Sequence, residues 1–408
     1  MKAILHIGTP KTGTTTIQET LGANREELQK QGFHFAHGIF SMTDVNGEKR
    51  LLGIDNNHIF LLYLCLVPNQ QDKYIRVWMN QRQSDDELVI QEFIKEQFNQ
   101  SLSSLTSNIH TVIFSAEMLA SYCDVKNIKQ LLEPFFDSFS IIVYLRKQED
   151  AISSSLNTLL RIGADLPPIT SAEDYEQEWY DYDNILSTWN EFFHKDCFSV
   201  RLFEKKSLVR NDLIEDFADC VGFSLDGMKR IEDQNVSINA KAANFLFRFN
   251  KYVPFTSEIR GSIVSLLEKH YKGKDYVFSQ KQVKFVREKF YESNNKVAQK
   301  FLGRETLFEE TDLSKYPENA PAEVTVDEAL EISVFLLKEQ FEEKNNLLQS
   351  QHNHFTSQIA EKDKVLCHLR QDLVNTQKDL VTALSKNFKQ KFPCFSIFQK
   401  TSKIKFFY

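Results

Sequence analysis

Six cysteines in 408 residues (Cys65, Cys123, Cys197, Cys220, Cys367 and Cys394) form no C-x-x-C pair and no metal-ligand spacing. That argues against a zinc site or a disulfide scaffold and reads as idle thiols in a reducing compartment. Long apolar runs are missing too: none reaches the roughly 18 residues of a membrane span. The N-terminus runs straight into a strand-like segment, so no room for a signal peptide is expected. Positive charge is in deficit, with a net charge of −7, and the general electrostatic footprint of a nucleic-acid binder is absent. The expectation is a cytoplasmic protein with no metal and no nucleic-acid partner. A composition of 42% hydrophobic and 26% charged residues suits one large globular domain with an appendage.

What the chain does have begins at its fourth residue. Ile4-Leu5-His6-Ile7-Gly8-Thr9-Pro10-Lys11-Thr12-Gly13-Thr14-Thr15-Thr16-Ile17 places Gly8 and Gly13 at the spacing of the phosphate-loop pattern G-x-x-x-x-G-K-[ST]. In that pattern a glycine turn aims backbone N–H groups at phosphate oxygens. Position 14 is threonine, however, and the lysine lies inside the loop at Lys11. A kinase lysine reaches the β- and γ-phosphates from the helix start, beside a magnesium-binding hydroxyl. Lys11 instead lies near the first phosphate and whatever leaves from it. The apolar run Ala3–Ile7 reads as a buried strand and Thr14 onward resumes helical spacing through Ile17 and Leu21. Strand, turn and helix N-terminus together make an anion site. His6, within the strand, reads as a core residue.

Alternating strand-like and helix-like patterns over residues 1–310 predict an α/β domain with a central parallel sheet and helices on both faces. Expected strands are Ala3–Ile7, Thr111–Ser115, Ser140–Leu145 and Phe198–Phe203. Helical periodicity marks Asn184–Phe193, Asp212–Val221, Lys241–Phe249 and Val283–Phe301. Residues 43–108 resist assignment and read as an insertion that shapes an acceptor pocket. The stretch 311–328, with Tyr316-Pro317 and Ala320-Pro321, reads as a linker. Over 329–385, Val334, Phe341, Leu348 and Phe355 recur every seven residues, as do Ile359, Leu366, Leu373 and Leu380. This is a heptad seam with one stutter, expected to form a C-terminal coiled-coil helix capable of self-association. A single helix folded back on the domain is the alternative.

Residues 386–408 carry six lysines and no acid, interleaved with Phe388, Phe392, Phe395, Phe398, Phe406, Phe407 and Tyr408. Such a basic aromatic tail suits peripheral contact with an anionic membrane, here the inner face, at about 1 kcal/mol per lysine. A solvated tail and an anionic polysaccharide site are the other readings.

A second constellation is Ile141-Ile142-Val143-Tyr144-Leu145-Arg146, with Ser154 eight residues further on. An apolar strand would deliver Arg146 to the sheet's C-terminal edge, where ligands bind in open α/β sheets. A guanidinium fork and a hydroxyl suit a phosphate separate from the loop's own. The competing reading is an ion pair of Arg146 with Asp150.

Taken together, the Gly8–Thr16 loop with internal Lys11, then a strand ending in Arg146 with Ser154 after it, resembles the sulfotransferases that use 3′-phosphoadenosine 5′-phosphosulfate (PAPS). The resemblance is closer to bacterial carbohydrate-type members. It continues through Tyr182–Trp189, Phe198–Lys205 and Asp212–Gly222, covers about residues 1–305, and leaves the heptads and tail outside. It implies a P-loop-type three-layer domain and transfer of a sulfuryl group from PAPS to a hydroxyl of a saccharide or glycolipid, releasing 3′,5′-ADP. Pro10, Lys11, Thr12, Gly13, Thr14 and Thr15 would hold the 5′-phosphosulfate, Arg146 and Ser154 the 3′-phosphate, and no metal would be needed. Lys11 would neutralise the bridging oxygen. The catalytic base would be Glu117, after the strand Thr111–Ser115, with His34 and His37 as runners-up and a first-turn helix glutamate behind an N-capping Ser115 as the plain alternative. Two departures stand out. Thr16 replaces the aromatic that often follows the loop, which leaves adenine stacking to another residue such as Phe203. Arg260-Gly261 is only a fragment of the family's Arg-Lys-Gly element, with Lys241 and Arg248 as other donors. Rival readings are a P-loop kinase of a small metabolite and a non-catalytic nucleotide-binding scaffold.

Overall fold

Short, continuously apolar strands, buried on both faces, build the centre of the molecule. The chain's strands are β1 (Lys2–Gly8), β2 (Phe33–Phe35), β3 (Ile39–Thr43), β4 (Lys49–Gly53), β5 (Thr111–Glu117), β6 (Ser138–Leu145) and β7 (Phe198–Leu202). Five of them form one sheet in the order β2-β5-β1-β6-β7, and each neighbouring pair is parallel. β3 and β4 form a separate antiparallel hairpin. This computed structural model describes the chain except for residues 44–46, 66–74, 77–78, 81, 83–85, 123, 164–178, 232–237, 254–257, 274–277, 311, 320–323 and 392–408.

Both faces of the sheet are covered, as parallel sheets require. One face carries Leu5, Ile7, Phe114, Ala116, Val143 and Leu145, packed against helices 87–103, 125–132 and 182–190 through Phe98, Ile128 and Trp189. The other carries Ile4, Ile113, Ile142 and Tyr144, packed against helices 14–23 and 213–221 through Ile17, Leu21 and Phe217. The fold is mixed α/β around a parallel sheet of five strands. β1 lies in the middle, so the segments leaving β5, β1 and β6 emerge side by side at the sheet's C-terminal edge.

The differences from expectation are local. Phe33–Phe35 adds an edge strand that is too short to be read from periodicity. Residues 43–108 contribute hairpin strand β4 and helices Phe60–Cys65 and Glu87–Ser103. Helix Gln280–Val297 continues as a π turn, Ala298–Leu302, and does not run unbroken to Phe301. Part of the supposed linker is docked, since Tyr316 and Pro317 carbonyls accept hydrogen bonds from Gln280 (3.1 and 2.9 Å).

The chain divides into two compact units, Met1–Ala329 and Leu330–Tyr408. A helix of 66 residues, Val326–Lys391, supplies the described part of the second. Its heptad positions Val334, Phe341, Leu348, Phe355, Ile359, Leu366, Leu373 and Leu380 are each between 51% and 67% exposed. Most of the basic tail lies outside the described residues. Among those described, no helix is long and apolar enough to cross a membrane.

Candidate anion-binding site

The turn after β1 is held open by its own threonines. Thr9 Oγ1 donates to the Tyr144 carbonyl on β6 (2.6 Å), and Thr12 Oγ1 donates to the Thr9 carbonyl (2.9 Å). Lys11 adopts a left-handed backbone, φ 61°, which costs a non-glycine residue about 1–3 kcal/mol and is kept only where surroundings enforce it. Gly13 also has positive φ, 79°, and a Cβ there would lie 2.3 Å from Leu213 Cδ2. Only glycine meets both conditions.

Helix Thr14–Ala23 begins immediately afterwards with no side-chain cap and no acid in its first turn. Its N-terminal N–H groups and dipole are therefore open to an anion. Thr14 Oγ1 is buried against Gly8 without a hydrogen-bond partner.

Arg146 leaves the end of β6 beside this loop. Its Nη1 donates to the Lys11 carbonyl (2.9 Å), and the guanidinium carbon lies 5.6 Å from the centre of the Phe203 ring. It forms no ion pair with Asp150. Tyr182 donates to the Arg146 carbonyl (2.6 Å), and Lys147 pairs with Glu204 (3.3 Å), so the strand end is fixed on both sides. Ser154 follows on helix Gln148–Ile162, and Thr158 and Arg161 repeat its face at helical spacing.

Lys11, Gly13, Thr15, Arg146, Ser154 and Phe203 line a single cavity of about 670 Å³, together with Thr12, Thr14 and Glu117. Its cations are Lys11, Arg146, Arg161, Lys205 and Arg230, set against Glu117 and Asp212. Arg161 pairs with Glu268 (3.0 Å) and Arg230 with Asp212 (3.0 Å) and Glu215, yet the wall holds more cations than carboxylates, a balance that favours an anionic ligand. Of the residues expected to bind the donor, Pro10 alone is not in this wall; it is buried within the turn.

Glu117 is the last residue of β5, in register with Gly8, and Met118 turns away with φ 74°. The reading of Glu117 as a first-turn helix residue behind an N-capping Ser115 is therefore corrected. Ser115 is fully buried within the strand, bonded to His6 Nδ1 (2.8 Å) and to Gln18 Nε2. Burial raises the Glu117 carboxyl above the ordinary carboxylate range, and the nearby Lys11 ammonium opposes that shift.

Other expected residues are elsewhere. His34, within β2, is held near pKa 4 by burial, with His37 and Arg25 adding to the shift, and His37 pairs with Asp55 (2.7 Å). Neither histidine lines the cavity, and no group of three metal-ligating side chains occurs among the described residues. Arg260 is buried and caps helix Gln148–Ile162, donating to the carbonyls of Leu160 (2.6 Å) and Arg161 (3.0 Å). It is a structural residue. Lys241 and Arg248 are on helix Ala240–Phe249, outside the cavity wall.

Sequence reasoning missed Arg161, Lys205 and Arg230. Helical spacing from Ser154 could have found the first; nothing local marks the others. It also missed Asp216, fully buried, which accepts from Tyr144 Oη (2.8 Å), Arg201 Nε (3.0 Å) and the Val209 N–H (3.0 Å). Burial alone would raise its pKa, but these donors hold it below the ordinary range. The carboxylate thereby ties β6 and β7 to segment 203–213, which forms one side of the cavity.

Fold and site together define a mixed α/β protein with a phosphate-type loop opening on a cationic cavity. No protein-family model matches the chain. It is 24% identical over 201 residues to an uncharacterised protein of Archaeoglobus fulgidus, a match covering 47% of this chain and 54% of that protein. The chain thus spans about half the length of the curated relative it matches. Among solved structures, it is similar to a sulfotransferase from Alicyclobacillus acidocaldarius, at 13% identity, with 60% of this chain and 91% of that one covered and a TM-score of 0.35.

Proposed function

We propose that this chain is a sulfotransferase with a P-loop-type three-layer domain, moving a sulfuryl group from PAPS to a hydroxyl of a saccharide or glycolipid. One observation carries the reading: a single cavity joins an uncapped helix N-terminus and Lys11 to Arg146 and Ser154, with Glu117 on the same wall. A donor with a 5′-phosphosulfate and a 3′-phosphate needs two separate anion sites of this kind. The N–H groups of Thr12–Thr15 would hold the first phosphate, and Arg146 with Ser154 the second. Phe203 offers a ring for the base.

Transfer would proceed by attack of the acceptor oxygen on sulfur. The new O–S bond forms as the bridging S–O bond breaks, the acceptor proton passes to Glu117, and the electron pair leaves on the 5′-phosphate of 3′,5′-ADP. Lys11 would neutralise that departing charge. Glu117 must be ionised to accept the proton, so the acid limb of activity should lie above the ordinary carboxylate value.

The test is sulfuryl transfer from radiolabelled PAPS by Lys11→Ala. Removing the lysine should lower transfer by about 10²–10³-fold, the scale of a lost transition-state donor, and weaken 3′,5′-ADP binding far less. Equal losses would make Lys11 a binding residue only.

The exposed seam of the long helix supports a second proposal, that two copies of the chain associate through it. A helix with a continuous apolar stripe needs a partner surface, and the seven-residue repeat specifies another such helix. Light scattering should give a dimer for the full chain, lost on Leu366→Asp/Leu373→Asp; a monomeric full chain would contradict it.

A further inference from the structure

Beyond Glu117 the site continues into a second, smaller cavity. Its volume is about 250 Å³, and Thr15 and Glu117 line both. The other wall residues are Gln18, Glu19, Ile54, Asn56 and Asn57. At that size, below the roughly 300–1,000 Å³ of a drug-sized site, it suits one ring-sized group.

The wall is built and held, not a surface accident. Ile54 and Asn57 close a turn (Asn57 N–H to Ile54 C=O, 3.1 Å) between hairpin β3–β4 and helix Phe60–Cys65. His58 fastens that turn to β5: its N–H donates to the Ser115 carbonyl (2.9 Å), and its Nδ1 accepts from the Ser115 N–H (2.7 Å). Burial holds His58 near pKa 4, so it stays neutral and can accept. Arg25 braces the back of the turn, with its guanidinium spread over Asp55, Asn56 and the Gly22, Phe35 and Ala36 carbonyls. Gly22 leaves room for this: a Cβ there would lie 2.2 Å from Asn56 Oδ1.

One buried side-chain polar atom in this wall has no partner. Asn57 is 9% exposed, and its Oδ1 is buried without a hydrogen bond. The charges of the wall are those of Glu19 and Glu117 alone. Amide and carboxylate oxygens accept hydrogen bonds from hydroxyl groups and repel anions.

We infer that this cavity is the acceptor subsite, and that it takes an uncharged polyhydroxylated ring, a neutral saccharide unit, while excluding uronate- or sulfate-bearing units. Asn56 and Asn57 supply the amide side of the wall, and Glu19 sets the charge preference. Glu117 stands at the junction, where the reacting hydroxyl meets the donor. The inference rests on the sulfuryl-transfer reading for its last step, but not for saccharide binding itself.

The full chain and two variants, Asn57→Ala and the exposed-site Glu19→Lys, are compared with methyl glucoside and methyl glucuronide as probes. Binding is read by saturation-transfer NMR and turnover by transfer from PAPS, with 3′,5′-ADP affinity as control. Methyl glucoside should be preferred by at least about tenfold. Asn57→Ala should raise its KM about tenfold with 3′,5′-ADP affinity unchanged, and Glu19→Lys should move the preference toward the glucuronide. Saccharide binding with these variant effects but no 3′,5′-ADP binding would keep the subsite and remove the transfer reading. Intact nucleotide binding with a glucuronide preference, or with both variants silent toward saccharide, would overturn the subsite. Absence of both kinds of binding would overturn both.

Discussion

The two cavities that meet at Glu117 are opposites in charge and in construction. The larger is lined by Lys11, Arg146, Arg161, Lys205 and Arg230, and stands where β1 and β6 deliver their ends to the sheet edge. The smaller carries no cation: Glu19, Glu117 and the amides of Gln18, Asn56 and Asn57 line it with Thr15 and Ile54, and one side of its wall is a turn stapled to β5 by His58. A cationic chamber suits a donor whose charge must be held; an acidic, amide-lined one suits a hydroxyl that must surrender a proton. Under the proposed function the reaction would take place at the seam between them, where Thr15 and Glu117 are common to both.

Removing the shared charge should have the largest effect. Glu117→Gln should cut transfer by about 10²–10⁴-fold, the usual range for a lost general base. Its stability should move the other way. Because burial raises the folded-state pKa above the unfolded one, the native fold favours the protonated form. That stabilisation is complete below the unfolded pKa and is lost as pH rises through the folded value. Glu117→Gln should therefore raise Tm at neutral pH and lose that advantage below about pH 4, read by thermal melts across pH. A variant less stable than wild type at pH 7 would contradict the placement of an ionised carboxylate there.

Breaking one chamber while sparing the other is the next test. Asp216→Asn leaves Arg201 beside a neutral partner and weakens the tie between the sheet and segment 203–213. Truncating a buried pair costs about 3–5 kcal/mol, and the isosteric amide should stay at or below that. Denaturant unfolding should show the loss, with 3′,5′-ADP affinity falling and methyl glucoside affinity holding. Equal losses of both ligands would mean the chambers are not independent.

The same contrast explains what could be read without coordinates. Gly8, Lys11 and Gly13 were legible because a phosphate loop needs particular residues at particular spacing. β5 and β6 were legible because a buried parallel strand is a continuous apolar run. Glu117 and Arg146 followed as the residues at those strands' ends. The smaller chamber was not legible. Its residues Ile54, Asn56 and Asn57 come from a turn with no periodicity, and their meaning depends on Gly22 and Ser115, far away in sequence. Arg230 and Asp216 were hidden for the same reason, since a contact across the sheet edge leaves no local pattern. Arg260 shows the converse error: a motif fragment suggested a ligand contact, and long-range packing made it a helix cap.

On the proposed function the larger chamber holds two separate phosphates, one at the loop and one at Arg146. Calorimetric titration of wild type and Arg146→Ala with 3′,5′-ADP, against ATP with magnesium, tests it most directly. Wild type should prefer 3′,5′-ADP, and Arg146→Ala should weaken it about tenfold to a hundredfold, the cost of one or two charge-assisted hydrogen bonds. A preference for ATP with magnesium, or unchanged 3′,5′-ADP binding in Arg146→Ala, would contradict the two-phosphate site and the sulfotransferase reading with it.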